Sequence, residues 1–190
     1  MKKVLVISIF LVMSFSTIGS AGQFQKTYVY KDAGDKANKF IPSGWMGDFD
    51  DLRMFYRCFV QPKSGKNCLK IMYSAESKQK VGWAGIYWQN AVNNWGEEAG
   101  ENLKGAKRLV FYIRGDKGGE IIDGFRVGGI TGDTANIPFH PVILTKRWKK
   151  YTIDLRGEDL SNIVGGFAFV VRSEDFEKGC IFYLDEIYFE

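Results

Sequence analysis

Apolar and polar residues alternate with a period of two in segment after segment of this chain, and long stretches of helical period are missing. In Gly82–Gln89, Trp83, Gly85, Tyr87 and Gln89 fall on one side, while Ala84, Ile86 and Trp88 fall on the other, more core-like side. The same alternation, with β-branched and aromatic content, predicts strands at Gln25–Tyr30, Met54–Val60, Cys68–Ser74, Gly82–Gln89, Arg108–Gly115, Asp123–Gly129, Trp148–Leu155, Gly165–Val171 and Cys180–Phe189. Turns carrying Gly, Pro, Asn or Asp separate most of them. Asp159–Asn162 has room for a single helical turn, and Pro138 and Pro141 set His140 in a loop. Asn94–Leu103 alone is long enough for a further helix, and Gly96 and Gly100 argue against it. Roughly one strand per fifteen residues predicts a largely antiparallel, all-β fold: a two-layer β-sandwich of the jelly-roll kind.

Composition supports this picture. Fifteen Phe, nine Tyr and five Trp stand beside 22 Gly, a balance suited to a sandwich rich in tight turns. The N-terminus carries a different pattern. Lys2-Lys3 supplies a positive n-region, Val4–Phe15 an apolar h-region, and Gly19-Ser-Ala-Gly22 small residues for cleavage. Residues 1–22 therefore read as a signal peptide and 23–190 as a single β-sandwich domain, exported to the periplasm or secreted. The apolar stretch is short for a membrane anchor, so no span is expected after cleavage. Removing Lys2 and Lys3 lowers the formal charge from +4 to +2, which does not point to nucleic acid or an anionic membrane.

An oxidising destination makes a disulfide the expected use of two of the three cysteines. Cys58 and Cys68 flank the turn signal Pro62–Gly65 and are placed to face each other across a hairpin. A bridge there would contribute roughly 2–3 kcal/mol in the chain-entropy view. Cys180 is then left as a small buried hydrophobe.

Two features bear on chemistry. Trp83, Tyr87 and Gln89 around Gly85 make an open platform on which sugar rings could stack, with Asn94 and Trp95 in the following loop. The alternative is that Trp83 and Tyr87 fill a core with Gly85 as a packing gap. Arg114 and Arg126 end or occupy two neighbouring strands and could set guanidinium groups beside a ligand. In Cys180–Glu190, Ile181, Tyr183, Asp185, Ile187 and Phe189 share a face, so Asp185 interrupts a stripe expected to be buried. Either it holds calcium with N-terminal partners such as Asp32 and Asp48, or it is bonded to backbone amides or to an Arg. No zinc spacing or nucleophile elbow is found. Acidic pairs exist (Glu97 with Glu98, Asp185 with Glu186), but their separation in space is not encoded in spacing alone.

Pro42–Asp48, Ser64–Cys68, Gly82–Trp88, Asn94–Gly96, Trp148–Leu155, Gly165–Phe167 and Phe182–Asp185 together resemble a bacterial envelope domain of the galactose-binding-like superfamily, as found in many non-catalytic carbohydrate-binding modules. The resemblance spans about Tyr28 to Glu190. It implies a non-enzymatic module that binds carbohydrate, such as an envelope polysaccharide, and a structural calcium held by Asp185. A structural or protein-interaction domain with an envelope protein partner is the alternative function. A small glycoside hydrolase or lyase on the same sandwich is a second alternative.

Overall fold

A computed structural model describes residues 24–176 and 178–190. The proposed signal peptide lies outside them. The described chain is all-β: β1 (Thr27–Tyr30), β2 (Ile41–Gly47), β3 (Leu52–Cys58), β4 (Cys68–Tyr73), β5 (Trp83–Gln89), β6 (Arg108–Gly115), β7 (Ile121–Ile122), β8 (Gly124–Gly128), β9 (Asn136–Phe139), β10 (Val142–Ile143), β11 (Lys149–Asp154), β12 (Gly165–Arg172) and β13 (Cys180–Phe189). Two short 3-10 turns, Phe49–Asp51 and Ser173–Asp175, are its helical content among the described residues.

The strands form two antiparallel layers. A six-stranded sheet runs β11-β6-β13-β4-β3, with β1 added on β13, and a five-stranded sheet runs β2-β5-β12-β8-β9. Between them, Leu69 and Ile71 of β4, Phe111 and Ile113 of β6, and Phe182, Leu184 and Phe189 of β13 meet Ala84, Ile86 and Trp88 of β5 and Phe167 and Phe169 of β12. Aromatic rings stitch the layers: Phe111 lies 4.6 Å from Phe125, and Phe169 meets Phe182 edge-on at 5.1 Å. Each such buried ring contributes about 1.5–3 kcal/mol by leaving water.

Nine expected strands are present to within a few residues, and β13 has the expected bounds. Four were not foreseen, β2, β7, β9 and β10. β2 carries Pro42 and Gly44, residues that read as a turn, yet it is the edge of its sheet, where a missing N–H costs no ladder bond. β9 repeats this with Pro138, and β10 forms a two-residue ribbon with β7. Asp159–Asn162 is not a helical turn; its chain bends towards the Glu101–Ile163 bridge.

A bulge changes the reading of β13. Its register shifts between Asp185 and Tyr188, with Glu186 at φ 48°. Before the bulge the even positions Phe182 and Leu184 face the core; after it the odd positions Ile187 and Phe189 do. Asp185 therefore sits with Tyr183 on the outer face rather than in the core stripe.

That outer face is covered by the segment 59–67, which joins β3 to β4 and folds back over it. Arg114 donates to the Val60 carbonyl at 2.9 Å and Trp148 Nε1 to the Gln61 carbonyl at 2.8 Å. Lys63 and Ser64 N–H donate to Asp185 Oδ2 at 2.7 and 3.2 Å, and Lys66 and Asn67 N–H to Asp32 Oδ1, both at 3.0 Å. Arg114 also stacks on Tyr183, its guanidinium carbon 3.6 Å from the ring centre.

Candidate functional site

The outer face of the five-stranded sheet is covered in part: Tyr87 and Ala168 are buried with Ile130 and Val164, with Met46 packed against them, and the face opens towards the half-buried Trp83. Alternation along β5 turns Trp83, Gly85 and Tyr87 outward, and their ladder partners extend the same face. Met46 of β2 lies opposite Gly85, and Ala168 and Arg172 of β12 lie opposite Tyr87 and Trp83. Arg126 of β8 stands opposite Ala168, and Pro138 of β9 opposite Arg126. Between these side chains lies a groove of about 460 Å³, a size suited to a small ligand or a short stretch of a polymer. Gly124 and Ala168 contribute small side chains to its lining, while Trp83, Met46, Phe139 and Pro138 supply apolar surface. Gly85 is required by close approach: a Cβ there would stand 2.5 Å from the Phe169 carbonyl.

Polar groups punctuate the groove. Arg172 Nε is 2.8 Å from Asp123 Oδ2 at one end. Arg126 donates to the Asn136 carbonyl oxygen of its side chain. Tyr87 donates its hydroxyl to the Gly128 carbonyl at 3.0 Å, and burial pushes that phenol up to about 12 against the opposing pull of Arg126. Asp123 is the one carboxylate among the described residues lining the groove, and it is paired with Arg172.

Trp95 extends the platform from the loop after β5. It is 41% exposed and meets Tyr87 edge-on at 6.3 Å. Gln89 and Asn94 are buried supports beneath it rather than contact residues. Ser43 donates to Gln89 Oε1 at 2.7 Å, and Gln89 Nε2 donates to the Asn94 carbonyl at 2.7 Å. Asn94 in turn donates to the carbonyls of Asn90 and Glu98 and accepts from the N–H groups of Gly96 and Glu98. Its side chain thus replaces the ladder that a non-repetitive loop lacks.

Of the residues that the sequence singled out, Trp83, Tyr87, Trp95 and Arg126 come together. Arg114 does not: β6 belongs to the six-stranded sheet, and its guanidinium holds segment 59–67. The trio Asp32, Asp48 and Asp185 does not converge either, and among the described residues no group of three or more His, Cys, Asp or Glu could hold a metal ion. Asp48 is fully buried and accepts from Gln79, Val81 and Gly82 N–H at 2.7, 3.2 and 2.7 Å. Asp185 accepts from Lys63, Ser64 and Glu186, and burial lifts its carboxyl to about 6 against the pull of those amides. Main-chain N–H groups thus hold each of these carboxylates, and the three are not gathered into one shared cluster. The backbone-amide alternative is the one realised.

The expected Cys58–Cys68 bridge is also corrected. The two residues are direct ladder partners, but all three cysteines are free thiols. β3 is bulged between Phe55 and Cys58, and Cys68 directs its S–H to the Cys58 carbonyl at 3.5 Å. Cys180 is buried, as read from the sequence.

Met46, Asp123, Pro138 and Arg172 are groove residues that the sequence reading did not find. Arg172 continues the outward alternation Ala168, Val170, Arg172, a signal that was available. Met46 and Pro138 sit on the two proline-bearing edge strands, where the signal was masked.

No protein family model matches the chain, and no curated protein matches it. Solved structures do. The family 30 carbohydrate-binding module of the cellulosomal cellulase Cel9D-Cel44B of Clostridium thermocellum aligns at TM-score 0.59 and 17% identity, covering 87% of this chain and 97% of that one. A second family 30 carbohydrate-binding module aligns at TM-score 0.60 and 16% identity, covering 88% of each chain. A variant of the family 29 module CBM29-2 aligns at TM-score 0.50 and 12% identity, covering 87% of this chain and 91% of that one. The chain shares their β-sandwich fold.

Proposed function

We propose that this chain binds carbohydrate, without catalysing a reaction, on the outer face of its five-stranded sheet. The groove edged by Trp83 and ended by Arg126 and Arg172 carries the reading. An indole beside fixed guanidinium groups suits a sugar chain, whose C–H faces stack on aromatic rings while its hydroxyls take up hydrogen bonds. The carbohydrate-binding modules that share the fold support it. Binding is favoured over hydrolysis because hydrolysis takes two carboxylates across the scissile bond, and Asp123 lies alone in the groove with Arg172 as partner. The Lys2-Lys3 and Val4–Phe15 pattern supports placing this binding outside the cytoplasm, with an envelope polysaccharide as one class of target.

Affinity electrophoresis in gels containing soluble polysaccharides tests the proposal. Stacking with a few hydrogen bonds gives a dissociation constant on the order of micromolar to millimolar, enough to retard migration. Retardation by a defined subset of polysaccharides, lost in Trp83→Ala with the fold intact, is the expected result. Migration of the folded protein unchanged by every polysaccharide would overturn it.

A protein partner is the second reading, and one observation favours it. Phe55 and Tyr56 of edge strand β3, with Phe59 and Val60 just beyond, are all exposed. Retention of a specific partner by the wild type and by Trp83→Ala, but not by Phe59→Ser, would support that reading over the first.

A further inference from the structure

The two sheets end side by side at β2 and β3, and the sheet edges are protected unequally. β2, like β9 at the far edge of its sheet, carries a proline, which withholds an N–H from any further strand. β3 carries none, and among the described residues no strand pairs with its free side. Such an edge presents main-chain N–H and C=O groups to another chain. β11, at the opposite edge of the six-stranded sheet, also lacks proline but exposes no large apolar side chain. β3 does: Phe55 and Tyr56 are exposed on it, and Phe59, just beyond, is 72% exposed. Across from it, Ile41 of β2 is exposed to the same 44% as Tyr56. A cavity of about 360 Å³ opens between these two edges, and both Tyr56 and Arg57, at the bulge between Phe55 and Cys58, line it.

The charge on this edge is of one sign. Residues 52–70 hold five basic side chains, Arg53, Arg57, Lys63, Lys66 and Lys70, and no Asp or Glu. None of the five is in an ion pair among the described residues. Four are exposed, and the half-buried Lys70 holds its ammonium 5.9 Å from the Phe55 ring centre. The carboxylates nearest in the fold are engaged elsewhere: Asp32 with the N–H groups of Lys66 and Asn67, Asp35 with Lys31, Asp50 with Gln79 and Glu186 with Ser64. These charges decide which chain can add. A second copy laid antiparallel on β3 about Phe55 sets Arg53 of each near Arg57 of the other, and like charges in that position repel. A strand with acidic residues there is attracted instead.

We infer that β3 is the docking edge for an extended, acidic segment of another protein, which adds to the six-stranded sheet as a further strand and sets an apolar side chain into the recess between Ile41 and Tyr56. This docking rests on the protein-partner reading and is independent of the carbohydrate groove.

Amide-resolved NMR titration of the full chain tests it with two short peptides, one alternating glutamate and the other lysine with valine around a single phenylalanine. The glutamate peptide should move the amides of Ile41 and Arg53–Arg57, in the wild type and in Trp83→Ala alike. Its affinity should fall about tenfold between about 0.05 and 0.5 M salt. Arg53 and Arg57 are exposed, so the double variant Arg53→Glu, Arg57→Glu should keep its Tm, bind the glutamate peptide at least about tenfold more weakly and gain affinity for the lysine peptide. Equal or tighter binding of the lysine peptide by the wild type, glutamate-peptide affinity unchanged by the charge reversal, or no shift up to about 1 mM peptide would each overturn the inference. So would polygalacturonate, or dimerisation of the chain, moving these amides where the glutamate peptide does not. A partner retained by the wild type and by the charge-reversed variant, but not by Phe59→Ser, would refute this docking while leaving the protein-partner reading standing.

Discussion

Asp48 gives the sharpest test of how the groove is built. Its two oxygens receive three N–H groups from the loop that leads into β5, at 2.7, 3.2 and 2.7 Å, and its own N–H donates to the Trp83 carbonyl at 2.7 Å. Gly47, at φ 66°, brings it there; a Cβ on Gly47 would stand 2.2 Å from that same Trp83 carbonyl. Asp48→Ala leaves three donors without their acceptor. Hydrogen bonds to a charged group contribute about 1.5–3 kcal/mol each, but residues 79–82 are partly exposed and water can recover part of this. A net loss of about 3 kcal/mol is therefore expected, equivalent to a fall of about 6–12 °C in Tm for a domain of this size. Asp48→Asn keeps one acceptor oxygen and should lose about half as much. Urea denaturation followed by tryptophan fluorescence reads both, with and without EDTA. A loss below about 1 kcal/mol for Asp48→Ala, or a wild-type midpoint lowered by EDTA, would refute the amide-clamp account.

Other consequences are open to measurement. Burial holds the Asp185 carboxyl at about 6 against an ordinary value of 3.8, so the folded chain binds this proton more tightly than the unfolded one. That contribution to stability is complete below the lower value and is lost as pH rises through the upper one; Asp185→Asn should flatten the fall in urea midpoint between about pH 4 and 6, and an unchanged slope would count against it. Thiol titration of the unreduced, denatured chain should find Cys58, Cys68 and Cys180 all reactive, and dithiothreitol should leave Tm unchanged; a Tm lowered by reduction would restore the bridge. Gly85→Ala forces a Cβ against the Phe169 carbonyl and should cost about 1–3 kcal/mol by thermal unfolding, whereas an unaltered Tm would show that the strands part freely.

The legible part of this molecule was the part written in side-chain alternation. β5 declared its core face, which is as read, but of the face expected to be open only Trp83 stays half-buried, while Gly85, Tyr87 and Gln89 are buried. Alternation failed where the backbone departs from period two: the bulge at Glu186 moved Asp185 to the other side of its strand, and Pro42 and Pro138 hid two edge strands. It also says nothing of which strands become neighbours. Arg114 and Arg126 look alike in sequence, yet β6 joins β13 and β11 while β8 joins β12 and β9, which puts the two guanidiniums on different sheets. Asp185 was read as a carboxylate needing partners, with Asp32 and Asp48 as candidate calcium ligands beside it. Their partners are main-chain N–H groups, which every residue but proline carries and which leave no compositional trace.

The segment over the six-stranded sheet also bears on the order in which the chain can assemble. Its hydrogen-bond partners Arg114, Trp148 and Asp185 stand 54, 87 and 122 residues from the groups they hold. Such contacts form only after long loops have closed, and none of the three exists while the N-terminal half alone has been synthesised. Segment 59–67 must therefore wait, untethered on that side, until β13 has been made and laid between β4 and β6. During this interval the exposed Phe59 and Val60 flank an unfinished sheet edge, the stage at which the nascent chain is most open to capture by another copy or by a chaperone.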